Sequence, residues 1–100
     1  MTPAERTRQI AVEMAYLHDV SFAELIGQTR DLHIAQTREI TAWVIRRVTG
    51  QTNAAIGELL RRDPSSVSVM LSRVTRRRMA DPDFKEQADD LVRRMEELLR

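Results

Sequence analysis

The sequence predicts an all-α fold, a multihelical bundle containing a helix-turn-helix. Three observations predict it. No run alternates apolar and polar residues with period two between turn signals, as half-buried strands do. Apolar residues recur instead three and four apart along most of the chain. Each of the three prolines, Pro3, Pro64 and Pro82, stands where a helix starts, the one helical position that tolerates a missing amide. A chain of 100 residues predicts one domain, spanning 1–100, with a single modest core. Hydrophobic content of 42% and charged content of 31% belong to an ordinary folded chain rather than a disordered one.

Thr2-Pro3-Ala4-Glu5 reads as a capping box that opens a helix to about His18, with Ile10, Ala11, Met14 and Leu17 on its apolar side. Ser21-Phe22-Ala23-Glu24 is a second capping box, starting a short helix that stops near Gly27. Residues 28–34 are expected to form a loop. A long helix follows from about Ala35 to Thr49, striped by Ile40, Trp43, Val44 and Val48 and ended by Gly50. Thr52 or Asn53 caps the next helix, which turns Ile56, Leu59 and Leu60 inward. Asp63 caps the one after it, with Pro64 at its first position and Val67, Met70, Leu71 and Val74 inward. This pair, at about 52–79, is the helix-turn-helix, because only Arg61 and Arg62 separate its members and force a steep crossing. Asp81-Pro82 opens a closing amphipathic helix at about 82–99, carrying Phe84, Ala88, Leu91, Val92, Met95, Leu98 and Leu99.

Several chemistries are excluded at this level. Without cysteine there are no disulfides, no thiolate catalysis and none of the commonest structural zinc sites. His18 and His33 are too few for a metal centre, and no acid pair or Ser-His-Asp set is arranged for catalysis, so no enzyme activity and no cofactor are expected. Trp43 lies on an apolar stripe and is expected in the core. Apolar runs are too short to span a bilayer and the polar N-terminus carries no signal-peptide region, so the expectation is a cytoplasmic protein with no membrane partner.

Charge is unevenly distributed. The net charge is +1, yet residues 61–78 hold six arginines and one aspartate, a local +5 between acidic flanks. Such a block suits a phosphate-facing surface, although Arg76, Arg77 and Arg78 would also complement the negative end of a helix. The helix beginning at Asp63-Pro64 is expected to expose Ser65, Ser66, Ser68, Val69, Ser72, Arg73, Arg76 and Arg77. Serine hydroxyls at Ser65 and Ser66 can meet base edges in a major groove, and Val69 a thymine methyl. Arg73 and Arg77, one turn apart, can reach phosphates. Asp63 serves as a cap and also fits a cytosine amino group. Amides near Thr52 and Asn53 form a natural phosphate clamp, or Thr52 merely caps.

The residues Ile56-Gly57, Arg62-Asp63 and Ser65-Ser66-Val67, with Arg38 to Gly50 (REITAWVIRRVTG) upstream, carry a resemblance. Over about residues 10–78 the chain resembles the C-terminal DNA-binding domain of the bacterial replication initiator DnaA, whose motifs read (I/L)G-x-x-F-G-G-R-D-H-(S/T)-T-V and R-Q-I-A-M-Y-L-A-R-E-L-T-G. Related domains occur appended to some bacterial transposases. The resemblance implies a Trp-repressor-like, DnaA C-terminal-like bundle that binds double-stranded DNA. It implies base reading by Asp63, Ser65 and Ser66, and phosphate contacts from Arg46, Thr52, Asn53 and Arg73. It also implies an arginine at Arg30 that enters the minor groove. Pro64 stands where the family motif has histidine, and the turn is one residue shorter without the glycine pair, which implies a different target sequence. No G-x4-G-K-(S/T) loop of a replication ATPase is present.

Two alternatives stay open. The closing helix packs on the domain, which the need for core area favours, or it forms a homodimer face. The whole chain binds DNA, or it is a helical protein-interaction module that does not.

Overall fold

One helix, α3 (Leu32–Thr49), touches all five of the others: α1 (Pro3–Leu17), α2 (Phe22–Ile26), α4 (Asn53–Leu60), α5 (Pro64–Ala80) and α6 (Pro82–Leu98). The computed structural model describes residues 1–100, and they contain no strand. Every residue of α3 from Ile40 to Ile45 is buried, as befits a helix with neighbours all round. Its two fully enclosed hydroxyls are satisfied along the helix itself. Thr37 donates to the His33 carbonyl at 2.8 Å and Thr41 to the Thr37 carbonyl at 2.7 Å.

The local start signals work as the sequence predicts. Thr2 and Ser21 both form complete capping boxes, with Glu5 and Glu24 returning the bond. Gly50 ends α3 in the left-handed region at φ 71°, and Thr52 caps α4 by accepting the Ala55 amide at 3.1 Å. One boundary differs. Helix α3 starts at Leu32, three residues before the expected Ala35, because the Asp31 carboxylate accepts the Ile34 amide and nucleates an extra turn.

The turn between α4 and α5 is Arg61 to Asp63. Arg61 takes a left-handed conformation at φ 58°, and the Arg62 amide returns to the Gly57 carbonyl at 2.8 Å. Asp63 occupies the N-cap position of α5 with extended backbone, yet its side chain accepts no capping bond. The expected cap is therefore positional only.

Helix α6 closes the bundle against α3 and α5. Phe84, Ala88 and Met95 are buried, and Leu91, Val92 and Leu99 are half-buried beside them. The apolar stripe of this helix is thus largely occupied within the chain. Trp43 is 4% exposed and joins the core, with the guanidiniums of Arg47 and Arg78 on its ring at 4.9 and 4.7 Å from the centroid. No helix is long and apolar enough to cross a membrane.

Candidate functional site

The α4–α5 pair is set by a backbone approach that only glycine permits. A Cβ placed on Gly57 would stand 2.3 Å from the Arg62 carbonyl oxygen, well inside contact distance. With Gly57 there, the turn folds tightly over α4 and buries Val67 and Met70 on the inner side of α5. What remains outward is Ser65, Ser66, Ser68, Val69, Ser72, Arg73 and Arg76, all exposed. Val69 is 48% exposed, the one large apolar side chain among these polar ones.

Two helix starts lie on this pair. The Asn53 and Ala54 amides of α4 precede the first bonds made by Ala55 and Ile56 to Thr52, and they have no partner in the chain. The Ser65 and Ser66 amides of α5 are likewise unpaired, since the first internal bond is from Val67 to the Asp63 carbonyl and the Asp63 carboxylate caps nothing. Each start therefore presents backbone donors together with hydroxyls, from Thr52 on one and Ser65 and Ser66 on the other.

A guanidinium pair fixes the end of α2, from which the loop of residues 28–31 departs. Arg38, only 6% exposed, donates to the Leu25 carbonyl at 2.7 Å and to the Glu24 and Gly27 carbonyls at 3.2 and 3.3 Å. Arg62 donates to the same Gly27 oxygen at 2.6 Å. These carbonyls end α2, where the helix dipole is negative, so the two cations are well placed. Burial, and then the charge of Arg62, lower the Arg38 pKa below the ordinary guanidinium value, while Glu39 works against that shift. Arg30, in this loop, is exposed.

The six arginines of residues 61–78 do not share one surface, which corrects the picture of a single positive face. Arg62 turns in to Gly27. Arg78 lies over Trp43 and bonds Asp89 at 2.6 Å. Arg77 stacks on Phe84 at 3.9 Å and so stands toward α6. Arg73 pairs with Glu39 at 2.9 Å. Arg61 borders a different groove, and Arg76 makes no ion pair. Arg46 is also engaged within the chain: half-buried, it donates to the Gln51 carbonyl at 2.6 Å and to the Asn53 side chain, bracing the α3–α4 turn.

Of the residues singled out from the sequence, Asp63, Ser65, Ser66, Val69 and Arg73 come together on the outer side of α5, with Thr52 and Asn53 at the start of the adjoining helix. Arg30, Arg46 and Arg77 lie apart from that cluster or have partners of their own. Arg76, expected on the exposed side, falls in line with Ser65, Val69 and Ser72, a spacing of four, three and four that marks one helical face. One residue of interest escaped sequence reasoning. Glu39 sits across from α5 in a groove of about 320 Å³ and carried no local signal.

No protein-family profile matches the sequence. The chain is 27% identical over 88 residues to the chromosomal replication initiator protein DnaA of Lactococcus lactis subsp. cremoris (strain MG1363). The same identity and length hold for the DnaA of Lactococcus lactis subsp. lactis (strain IL1403). Each alignment takes in 87% of this chain and 19% of the relative, so the chain spans about a fifth of the length of the curated relatives it matches.

Proposed function

We propose that this chain binds double-stranded DNA sequence-specifically through the α4–α5 pair, acting as a helix-turn-helix with α5 in the major groove. The observation that carries the proposal is the outer side of α5. Ser65, Ser66, Ser68, Val69 and Ser72 are exposed together and offer short hydroxyls and one methyl-bearing side chain, with Asp63 the one acid on the helix start itself. Short neutral groups let a helix start approach base edges closely, where a long acid or a bulky aromatic would hinder it. The distant similarity to the replication initiators supports the same reading.

In this arrangement Asp63, Ser65, Ser66 and Val69 meet base edges. The unpaired amides of Asn53 and Ala54, with the side chains of Thr52 and Asn53, hold one phosphate at the start of α4. Arg73 and Arg76 supply charge along the strand, Arg77 adds to it only by leaving the Phe84 ring, and Arg30 reaches the adjacent minor groove from the loop that follows the α2 end held by Arg38 and Arg62. Arg46 acts at one remove, by bracing the turn that presents Asn53. Pro64 and the short turn favour a target other than the initiator's usual one. The 1–100 unit works as one binding domain with no catalysis and no cofactor of its own. An initiator-like or transposase-associated role would place it in the cytoplasm, on DNA.

The test is titration against random-sequence duplex at several salt concentrations, followed by selection of bound duplexes from a random pool. Binding at low salt with a clear salt slope and an enriched site is expected. No binding at low salt, or none of the slope that phosphate contacts produce, overturns the proposal. A protein-interaction module is the alternative reading, supported by the near-zero net charge and by a groove of about 670 Å³ between α1, α2 and α4, bordered by Phe22, Ile26 and Leu59. Indifference to duplex together with a retained protein partner would favour it.

A further inference from the structure

A carboxylate stands beside the proposed reading helix. Glu39, on α3, accepts a hydrogen bond from Arg73 Nη1 at 2.9 Å. The Glu39 side chain is 17% exposed and that of Arg73 62%, so the acid is the fixed member of the pair and the arginine the mobile one. Both border the α3–α5 groove, along with Arg38, Arg62, Ser66 and Val69, and Glu39 is the sole acid there. The other two cations of the groove are held on the carbonyls that end α2, which leaves Arg73 as the one Glu39 pairs with.

We propose that Glu39 is an affinity-limiting, specificity-determining residue: it holds Arg73 away from the phosphate backbone and weakens the sequence-independent part of DNA binding. The inference rests on the DNA-binding reading above. An arginine that contacts phosphate releases a counterion and strengthens binding to every sequence alike. An arginine paired with a fixed carboxylate has to leave that partner first, and the carboxylate left behind repels the strand. Discrimination is a difference between affinities, so a built-in repulsive element that lowers the common part raises the weight of base contacts. Ser66 lies in the same groove, which puts the damped cation next to the base-reading hydroxyl.

The experiment compares the full chain with Glu39→Gln, which keeps the side-chain shape, on random-sequence duplex across a salt series. Glu39→Gln is expected to bind roughly two- to fivefold more tightly at low salt, the span of one exposed ion pair. Its slope of log K against log salt should steepen by a part of the roughly 0.9 that one full phosphate contact gives, as Arg73 engages the strand more completely. The preference for a selected site over random duplex should fall. In an Arg73→Ala background the gain from Glu39→Gln should largely vanish. Should the glutamine variant not fold, Glu39→Asp, whose shorter side chain draws away from Arg73, is expected to move affinity in the same direction. A wild-type chain that does not bind duplex at low salt overturns the function and this inference together. Wild-type binding with Glu39→Gln unchanged in affinity and slope overturns the inference alone. So does an equal gain with and without Arg73.

Discussion

The Arg62 guanidinium donates to the Gly27 carbonyl at 2.6 Å, across 35 residues of sequence, and ties the α4–α5 turn to the end of α2. Arg38 bonds the same oxygen from below, so the loop that bears Arg30 and the start of α5 are held as one piece. Replacing Arg62 by Met should loosen both sides of that link. The expected cost is about 1–3 kcal/mol, typical of hydrogen bonds from a charged donor. Denaturant unfolding measures it, and amide exchange should quicken at residues 28–31. Unchanged exchange there would mean that Arg38 suffices.

Gly57 makes the sharpest stability prediction. With the Arg62 carbonyl 2.3 Å from the site of a new Cβ, Gly57→Ala cannot be accommodated without moving backbone. A loss of about 1–3 kcal/mol is expected, the usual scale of overpacking. For a domain this size that lowers Tm by about 4–8 °C per kcal/mol, which a thermal melt reads directly. A gain in stability, as alanine often brings to a helix interior, would show that the turn is looser than described.

Asp63 separates a capping role from a binding role. Its carboxylate accepts no bond from α5, so Asp63→Ala should cost less than the ~1 kcal/mol of a working cap. Under the DNA-binding proposal the same variant should still change the selected site. A large drop in Tm with unchanged binding would reverse that assignment.

Ser66→Glu and Arg73→Ala should differ in kind. A charge placed at Ser66 meets the base edges and is expected to abolish preference for the selected site. Arg73→Ala should weaken all duplexes similarly, by less than a free arginine would, because Glu39 already engages it. Gel-shift or anisotropy titrations on selected and random duplexes distinguish the two.

Acid should weaken the α5–α6 junction. Partial burial works to raise the Asp89 pKa, but hydrogen bonds from Arg78 and Lys85, with their charges, outweigh it and hold the carboxyl below its ordinary value. A carboxyl depressed in the folded state stabilises fully above its unfolded pKa and loses that contribution as pH falls through the folded one. Thermal stability should thus decline below the ordinary carboxylate range, about pH 4. Asp89→Asn should be less stable at neutral pH and show a flatter acid limb. An acid limb identical to that of the wild type would assign the loss to other carboxylates.

The helices were legible from the sequence because their signals are local. Two capping boxes, prolines at first positions and Gly50 act within four or five residues of themselves, and the apolar spacing names the inner side of each helix. Asp31 escaped notice because a single aspartate beside polar neighbours marks a cap no more than a loop. The candidate site was legible in part. Serines at the start of α5 face outward, as the spacing of Val67, Met70 and Val74 requires.

The arginines were another matter. Arg62, Arg73 and Arg78 look alike in a row of basic residues, yet one holds a carbonyl 35 residues away, one a carboxylate 34 residues away, and one lies over Trp43 on a different helix. A long flexible cation takes whatever acceptor the packing brings within its reach, and that acceptor is chosen by how helices cross. By itself the sequence determined which residues are helical, which sides are apolar and where the short polar face begins. Tertiary structure alone decided which charges remain free to meet a partner, because pairing depends on distances between segments that no local pattern records.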